Sequence, residues 1–362
     1  MLMAAGTVHA KGKLFDYVET SAKRVKAKGQ SYSWINAYAF AVASQFAYTP
    51  TGKKGKLRKH EISRFKGIGL KFCHEKQRTH YRGTVKGSGS SFLDTQYFLL
   101  YNKDAVVVAF RGSENASFGD NANQWTKAIA DWVGTDGNIL HVTPWGKKAG
   151  AVHQGFFQAY ETLRKTQRLV KRVKACMNRV RPEKNNSRER RTPRAVFLTG
   201  HSLGGAVAQT AAFGLNKSGR IPIRGIYTYG GPRFASNELK TTWNKQFKRR
   251  AHRWVNDNDM VTGLPPVGLF HHTGRYHHLD EKDGLGKKIT VRLDRGAHIP
   301  RLFSAKNHGI NNYMLRIWNH FPYAKKKKLF RTKRKSKSLR PREIYRRAFG
   351  NKLVIKDGRA VY

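Results

Sequence analysis

The chain has 362 residues, an apolar content of 39% and seven tryptophans, which suffices for one large α/β domain with extensions or for two smaller domains. Lys and Arg number 71 against 22 Asp and Glu, and the formal net charge of +49 predicts a polyanionic partner such as nucleic acid, anionic lipid or an acidic polymer. The two cysteines provide neither a disulfide framework nor metal-ligand spacing. No apolar run approaches about 20 residues, and the first ten residues lack the regions of a signal peptide, so neither a transmembrane segment nor a signal peptide is predicted and the compartment stays open.

The first third of the chain is predicted to pass from helices to strands. Residues 11–30 carry apolar residues at helical spacing among lysines, which predicts a basic amphipathic extension. A more apolar helix, buried on most sides, is predicted from Trp34 to Tyr48. Gln96 to Tyr101 and Ala105 to Phe110 are predicted to be neighbouring strands joined by a turn.

The middle of the chain is predicted to alternate between helices and strands. Helical spacing runs from Ala159 to Val180, and a basic loop, 181–194, follows it. Further strands are predicted at Ala195 to Leu198, Arg224 to Tyr229, Ala251 to Asn256 and Lys288 to Leu293. This alternation predicts an α/β fold with a mainly parallel central sheet and helices on both of its faces.

The composition changes after about Pro322. Residues 325–337 are nearly all Lys and Arg, which predicts a solvated segment. At the end of the chain, Asp357 and Gly358 separate two apolar triplets, which predicts a two-residue hairpin. We therefore divide the chain into a basic N-terminal extension (1–30), an α/β domain (31–322) and a basic C-terminal extension (323–362).

A Gly-x-Ser-x-Gly motif lies within Thr199 to Gly205, between a predicted strand and a run of small residues that predicts a helix. Gly200 and Gly204 flank Ser202 because a tight strand-to-helix turn has no room for side chains at those positions. Such a turn lifts a serine hydroxyl to the top of an α/β-hydrolase sheet, at the N-terminus of the next helix. Ordinary glycine-rich turns show the same motif, but the flanking strand and helix favour a nucleophile.

A serine nucleophile needs an orienting acid and a base, which in this fold follow the serine in that order. Asp257 and Asp259 both follow the predicted strand that ends at Asn256, and position alone leaves the choice open. The downstream histidines are His271, His272, His277, His278, His298 and His308. Of these, His308 precedes a helical run, where a loop can hold an imidazole over the edge of the sheet. The paired histidines lack spaced Cys or carboxylate ligands, so no metal site is predicted.

An oxyanion hole near Ser202 requires backbone N–H groups. The N–H of Leu203 is a candidate because this residue follows the nucleophile. A second candidate is Ser113, in the loop that closes the strand ending at Phe110, since it offers both an N–H and a hydroxyl.

Seven segments of the chain form an ordered pattern. They are Val108 to Ser113, Ala130 to Trp132, Val152 to Tyr160, Thr199 to Gly205, Thr228 to Arg233, Asp259 to Val261 ahead of Leu264 to Pro266, and His308 with Tyr313 and Met314. In this order and spacing they resemble the class 3 (fungal-type) lipases, and the resemblance covers roughly residues 34 to 320.

The resemblance implies an α/β-hydrolase fold and a serine carboxylic-ester hydrolase that cleaves acyl esters of lipids without a metal or organic cofactor. It implies Asp259 rather than Asp257 as the acid, and His308 as the base. The stretch between Ser113 and Asp131 stands where the family carries a lid. It is long and polar for a lid, although Trp125, Ile129 and Trp132 can share one helical face.

The overall charge and the C-terminal extension lie outside the family pattern. They support an alternative hypothesis, in which a lipase fold serves as a scaffold or binding protein whose basic surface holds nucleic acid or another polyanion, as in a packaged particle. Under either hypothesis the basic extensions are predicted to contact an anionic membrane or a polyanion. The oligomeric state is left open.

Overall fold

The computed structural model describes residues 14–18, 33–49, 57–73, 80–86, 92–112, 141–179, 193–266, 268–279, 306–320, 354–356 and 359–361. Its α-helices are α1 (Trp34–Phe46), α2 (Lys59–Gly67), α3 (Gln154–Thr166), α4 (Leu169–Met177), α5 (Leu203–Lys217), α6 (Asn237–Phe247) and α7 (Ile310–His320). Its strands are β1 (Lys71–Phe72), β2 (His80–Lys86), β3 (Phe92–Tyr101), β4 (Ala105–Phe110), β5 (His141–Val142), β6 (Val152–His153), β7 (Ala195–His201), β8 (Ile223–Tyr229), β9 (Ala251–Asn256), β10 (Arg275–Leu279), β11 (Val354–Lys356) and β12 (Arg359–Val361). Short 3₁₀ helices occupy Leu14–Tyr17, Lys147–Ala149, Lys248–Arg250, Met260–Gly263 and Lys306–His308.

The main sheet has the order β1-β3-β4-β7-β8-β9-β10, and β2 also pairs with β3. Strands β4, β7, β8, β9 and β10 run parallel, whereas β1 to β3 form an antiparallel margin next to β4. The prediction of a mainly parallel sheet is therefore confirmed. We call the edge where the parallel strands begin the strand-start edge, and the edge where they end the strand-end edge.

Both faces of the sheet carry buried apolar clusters. Helices α3 to α6 pack on one face through a cluster that includes Tyr160 and Trp243. Helices α1, α2 and α7 pack on the other face through a cluster that includes Phe40 and Trp254. All residues of α1 except Ile35 are buried, as its apolar composition predicts. Parallel strands covered in this way are apolar on both sides, as the fully buried β4 illustrates.

The helical stretch predicted from Ala159 to Val180 is two helices. The helix α3 ends at Thr166 and α4 begins at Leu169, because Arg168 adopts a left-handed backbone with φ 52°. The sequence carries no Gly or Pro at this break, so the apolar spacing alone predicted one continuous helix. Most of the predicted basic loop 181–194 and the strand predicted at 288–293 lie outside the described residues.

The absence of a disulfide framework was a wrong expectation, because Cys73 and Cys176 form a disulfide with a Cα–Cα distance of 5.8 Å. Cys73 follows β1 and Cys176 lies near the end of α4. The two residues are 103 positions apart. Sequence spacing alone therefore gave no indication of the pairing.

The predicted C-terminal hairpin is confirmed. Strand β11 pairs antiparallel with β12, with Val354 opposite Val361 and Lys356 opposite Arg359. The second strand, β12, lies next to α7. The end of the basic extension is therefore in contact with the folded domain.

Candidate active site

Ser202 occupies the turn between β7 and α5, with φ 57° and ψ −135°. A non-glycine residue in this region of φ is strained, and such strain is typical of a nucleophile elbow. The glycines beside it are required by space. A Cβ at Gly200 would lie 2.1 Å from the carbonyl oxygen of Gly204, and one at Gly204 would lie 2.5 Å from the carbonyl oxygen of Phe110.

The Ser202 side chain is buried, and its Oγ forms no hydrogen bond among the residues that the structure describes. Its backbone N–H donates to the carbonyl oxygen of Tyr229 at the end of β8, at 2.9 Å. This bond fixes the elbow to the neighbouring strand. The serine thus lies at the strand-end edge, at the N-terminus of α5.

Asp259 follows β9 and is fully buried. Its carboxylate accepts three kinds of donor: the Val261 N–H at 3.0 Å, the Tyr313 hydroxyl at 2.5 Å and His308 Nδ1 at 2.8 Å. Burial, followed by the neighbouring carboxylate charge, raises the pKa of Tyr313 well above its usual range. The phenol therefore remains a hydrogen-bond donor, and these donors compensate the cost of burying the Asp259 charge.

His308 ends the last 3₁₀ helix before α7 and is 1% exposed. Because a carboxylate can only accept, His308 Nδ1 carries the proton in its bond to Asp259. In the neutral imidazole, Nε2 then holds the lone pair and can accept a proton.

Gly230 allows β8 to approach this pair. It has φ 59°, and a Cβ there would lie 2.6 Å from Asp259 Oδ2 and 3.0 Å from His308 Cε1. Since Ser202 is bonded to Tyr229, the residue before Gly230, the elbow and the Asp259–His308 pair meet at the end of β8.

Asp257 is placed differently from Asp259. It sits in a turn with φ 48°, and its Oδ2 accepts from the Asn307 side chain at 3.2 Å. The structure therefore brings Asp259, and not Asp257, to His308.

The other candidate histidines that the structure describes serve other contacts. His272 Nε2 lies 2.8 Å from the carbonyl oxygen of Thr262, and His278 Nε2 lies 3.1 Å from that of Asp257. His277 is buried against His252 at 2.9 Å. His271 bridges to Ala235, and His298 lies outside the described residues.

A buried hydrogen-bond chain behind the elbow was missed by the sequence analysis. His201 Nε2 lies 2.6 Å from the backbone oxygen of His308, and its Nδ1 lies 2.8 Å from the Tyr48 hydroxyl. Burial, followed by the charge of His308, lowers the pKa of His201 well below 6.5, so the ring is neutral. Its Nε2 therefore donates to His308, and its Nδ1 accepts from Tyr48. This chain holds the backbone of His308 against the elbow.

Of the two candidate oxyanion donors, the structure describes Leu203 but not Ser113. Leu203 is the first residue of α5, so its N–H belongs to the free donors at the helix N-terminus. The loop after β4 reaches the serine, since a Cβ at Gly112 would lie 3.2 Å from the Cβ of Ser202. Ser113, Trp125 and Ile129 lie outside the described residues.

Two further properties bear on the chemistry. Within the described ranges, no group of three His, Cys, Asp or Glu side chains is arranged to hold a metal ion. In the same part of the chain, no helix combines the length and the apolar character needed to cross a membrane.

Comparison with known proteins identifies relatives of this chain. The family profile described as lipase (class 3) matches residues 107–269, which include Ser202 and Asp259 and end before His308. A secreted mono- and diacylglycerol lipase of Fusarium solani is 30% identical over 192 residues, covering 51% of this chain and 48% of the relative. A chloroplastic phospholipase A(1) of Arabidopsis thaliana is 36% identical over 78 residues, covering 21% of this chain and 17% of the relative. This chain thus spans about half the length of the Fusarium relative and less of the Arabidopsis one.

The crystal structure of a fungal lipase is similar in fold, with a TM-score of 0.53 and 17% identity. It covers 83% of this chain and 98% of that structure. At this identity the likeness concerns the fold alone, and it supports the predicted α/β-hydrolase architecture.

Proposed function

We propose that this chain is a serine carboxylic-ester hydrolase that acts on acyl lipids, because residues 107–269 match the class 3 lipase family. The observation that carries the proposal is the buried pair of Asp259 and His308, joined at 2.8 Å beside a strained serine elbow. In this proposal Ser202 is the nucleophile, His308 the base and Asp259 the orienting acid.

The reaction begins when Ser202 Oγ attacks the ester carbonyl carbon and His308 Nε2 takes the hydroxyl proton. The Asp259 carboxylate holds the imidazole by Nδ1 and stabilises the positive charge that forms. The tetrahedral intermediate collapses, and the alcohol leaves with the proton from Nε2. Water then attacks the acyl-enzyme with the same histidine as base, and the fatty acid is released.

The negative charge on the carbonyl oxygen needs donors in place before the reaction. We assign the N–H of Leu203 as one donor because it opens α5 directly after the nucleophile. The second is the N–H of Ser113, with its hydroxyl as a further donor. The approach of Gly112 to within 3.2 Å of the serine, measured from its notional Cβ, supports this second assignment.

The substrate class that we propose is the glycerolipids. The relatives are named as a mono- and diacylglycerol lipase and a phospholipase A(1), and the lipids in both names are acyl esters of glycerol. A panel of soluble short-chain ester, diacylglycerol and phospholipid distinguishes them, with chain length as the second variable.

The triad assignment is tested on the purified protein. We expect Ser202→Ala, Asp259→Asn and His308→Ala each to lower turnover of a soluble ester by at least about 10⁴-fold, because the three groups act as a unit. The matched control is Asp257→Asn, whose new amide oxygen can still accept from Asn307. His298→Ala is a second control, which is expected to keep the activity because His308, and not His298, is proposed as the base. Full activity in Ser202→Ala, or a loss in Asp257→Asn equal to that of Asp259→Asn, contradicts the assignment.

The proposed lid lies in 114–130. Trp125 and Ile129 are expected to cover the pocket in water and to meet lipid at an interface, which is a common gating device. The double replacement by serine is expected to reduce activity on aggregated lipid more than on soluble ester. An equal loss on both substrates assigns the segment a structural role instead.

The second candidate function is a scaffold that binds a polyanion, and the net charge of +49 favours it. A fluorophosphonate probe separates the two functions, because an active elbow is labelled and Ser202→Ala is not. Under either function we propose that the basic extensions contact an anionic membrane or polyanion. Replacing the Lys and Arg of 325–337 by Gln and Ser, with the β11–β12 hairpin left intact, should flatten the salt dependence of that binding while ester turnover is kept.

A further inference from the structure

Basic residues collect in two stretches that border the strand-start edge. Together, residues 217–225 and 239–256 hold nine Lys and Arg and no Asp or Glu. The chain as a whole is basic, so the composition of these stretches does not by itself define a site. Their placement in the fold does.

The three strands β8, β9 and β10 are adjacent and parallel, so their first residues meet at one edge of the sheet. Arg224 is the second residue of β8, and Arg275 is the first residue of β10. The 3₁₀ helix Lys248–Arg250 leads directly into β9 between them. Helix α5 runs back from the elbow and brings Arg220 to the same edge.

We define the basic edge as the seven residues Arg220, Arg224, Lys245, Lys248, Arg249, Arg250 and Arg275. Of these, Arg224 and Arg275 are partly buried and the rest are exposed. The Arg250 side chain is fixed in place, since Nη1 donates to the Ile223 carbonyl at 3.0 Å and Nη2 to that of Gln246 at 2.8 Å. The edge is therefore held by the fold.

The positive charges of the basic edge repel one another. Desolvation by the surrounding protein lowers the pKa of Arg250, and the charge of Arg224 lowers it further. Partial burial also lowers the pKa of Arg275, with a further contribution from Arg249. A bound anion relieves such repulsion, and guanidinium groups are suited to phosphate.

We propose that the basic edge binds the phosphodiester backbone of a nucleic acid. Three adjacent strands span about 10 Å, and a duplex of that length carries about six negative charges. The seven basic residues therefore match the charge density of a duplex backbone. Contacts of this kind position a nucleic acid without reading its sequence.

The position of the basic edge favours a nucleic acid over a membrane as its partner. This argument rests on the proposed function. The six residues of β9 place the basic edge about 20 Å from the end of the strand, where Asp259 follows. When Ser202 meets a lipid surface at the strand-end edge, the basic edge faces away from that surface. Its partner is therefore a polyanion that is bound independently of the lipid.

The test compares two variants that each lose four exposed positive charges. The first carries Arg220→Gln, Lys245→Gln, Lys248→Gln and Arg249→Gln. The control carries Lys59→Gln, Lys71→Gln, Lys171→Gln and Lys174→Gln, all exposed on the β1–β4 half of the molecule. Binding of a fluorescent duplex oligonucleotide is titrated over salt, beside binding to vesicles of phosphatidylserine and phosphatidylcholine. Thermal unfolding and soluble-ester turnover report folding.

The basic-edge variant is expected to bind the duplex at least about tenfold more weakly at 0.1 M salt, with a salt slope smaller by about 2 to 4. The control variant is expected to keep most of the duplex affinity and most of the salt slope of the wild type. The two variants are expected to bind vesicles equally. Equal loss of duplex binding in both variants overturns the proposal in favour of overall charge. Selective loss of vesicle binding in the basic-edge variant overturns it in favour of a membrane partner. If the wild type shows no ester turnover, the proposed function is refuted, and the comparison of duplex binding between the two variants still tests the basic edge.

Discussion

The two edges of the parallel sheet are built on opposite principles. At the strand-end edge, Asp259, His308 and His201 are buried, and the Asp259 carboxylate, His308 Nδ1 and both ring nitrogens of His201 have hydrogen-bond partners. At the strand-start edge, the charges of the basic edge are of one sign and stand largely in water. Water screens like charges at the second edge, whereas an unmatched buried group at the first would cost several kcal/mol.

The comparison implies that the strand-end edge tolerates far less change in shape. The steric restriction at this edge is tested with two of its own glycines. Gly200→Ala places a Cβ 2.1 Å from backbone, whereas at Gly231 the nearest atom lies at 3.6 Å. We expect Gly200→Ala to lower the free energy of unfolding by about 3 kcal/mol or more, and Gly231→Ala to lower it by much less. Denaturant titration measures both, and an equal loss contradicts the steric account of the elbow.

A disulfide cross-links the strand-start side of the sheet, and the described residues contain no disulfide on the strand-end side. The Cys73–Cys176 disulfide closes a loop of 103 residues. We expect Cys73→Ser with Cys176→Ser to lower the free energy of unfolding by about 2 to 4 kcal/mol. Adding a reductant to the wild type should reproduce this loss, and the double variant should not respond to it. A wild type that is insensitive to reductant contradicts the pairing.

Buried polar groups also lie beneath the basic edge, which sharpens the comparison. Burial, followed by the charge of Arg275, lowers the pKa of His252 to about 3, and burial and the neighbouring His252 lower that of His277. The unfolded chain binds these protons below about pH 6.5 and the folded chain does not. Stability is therefore complete above that pH and falls as the pH drops towards the folded values.

From pH 7 to pH 5, the contribution of His252 alone is a loss of about 2 kcal/mol. We expect His252→Asn with His277→Asn to shrink the difference in unfolding free energy between these two pH values, whatever its effect at pH 7. His60→Asn, at an exposed position, is the control for replacing a histidine by asparagine. An unchanged difference in the double variant contradicts the role of the pair.

The features that sequence could predict are local. The strand, the glycines and the small-residue helix around Ser202 lie within about 20 residues, and α1 and the β11–β12 hairpin follow from composition and turn residues. Of the strands, β1, β2, β5, β6 and β10 escaped prediction. Strands β1, β5 and β6 have only two residues each, and His80–Lys86 lacks a clear apolar alternation.

The features that sequence could not predict join residues far apart. The Tyr48–His201 bond spans 153 positions and the disulfide spans 103, and no local pattern encodes either partner. Position left Asp257 and Asp259 equivalent. The resemblance favoured Asp259, and the structure gives the two carboxylates different neighbours, with Asp257 in a turn of φ 48°.

The burial of α1 has a consequence for how the chain matures. Its Ala37 carbonyl accepts from the Tyr229 hydroxyl, 192 residues later, and Trp34 packs on Trp254. At roughly 5 to 20 residues per second, a ribosome needs about 10 to 40 s to supply that partner. During this interval the part of α1 that packs on β8 and β9 has no cover. The first helix of the domain is thus completed by strands that are synthesised much later, and a nascent chain of this protein is exposed to aggregation or chaperone capture until then.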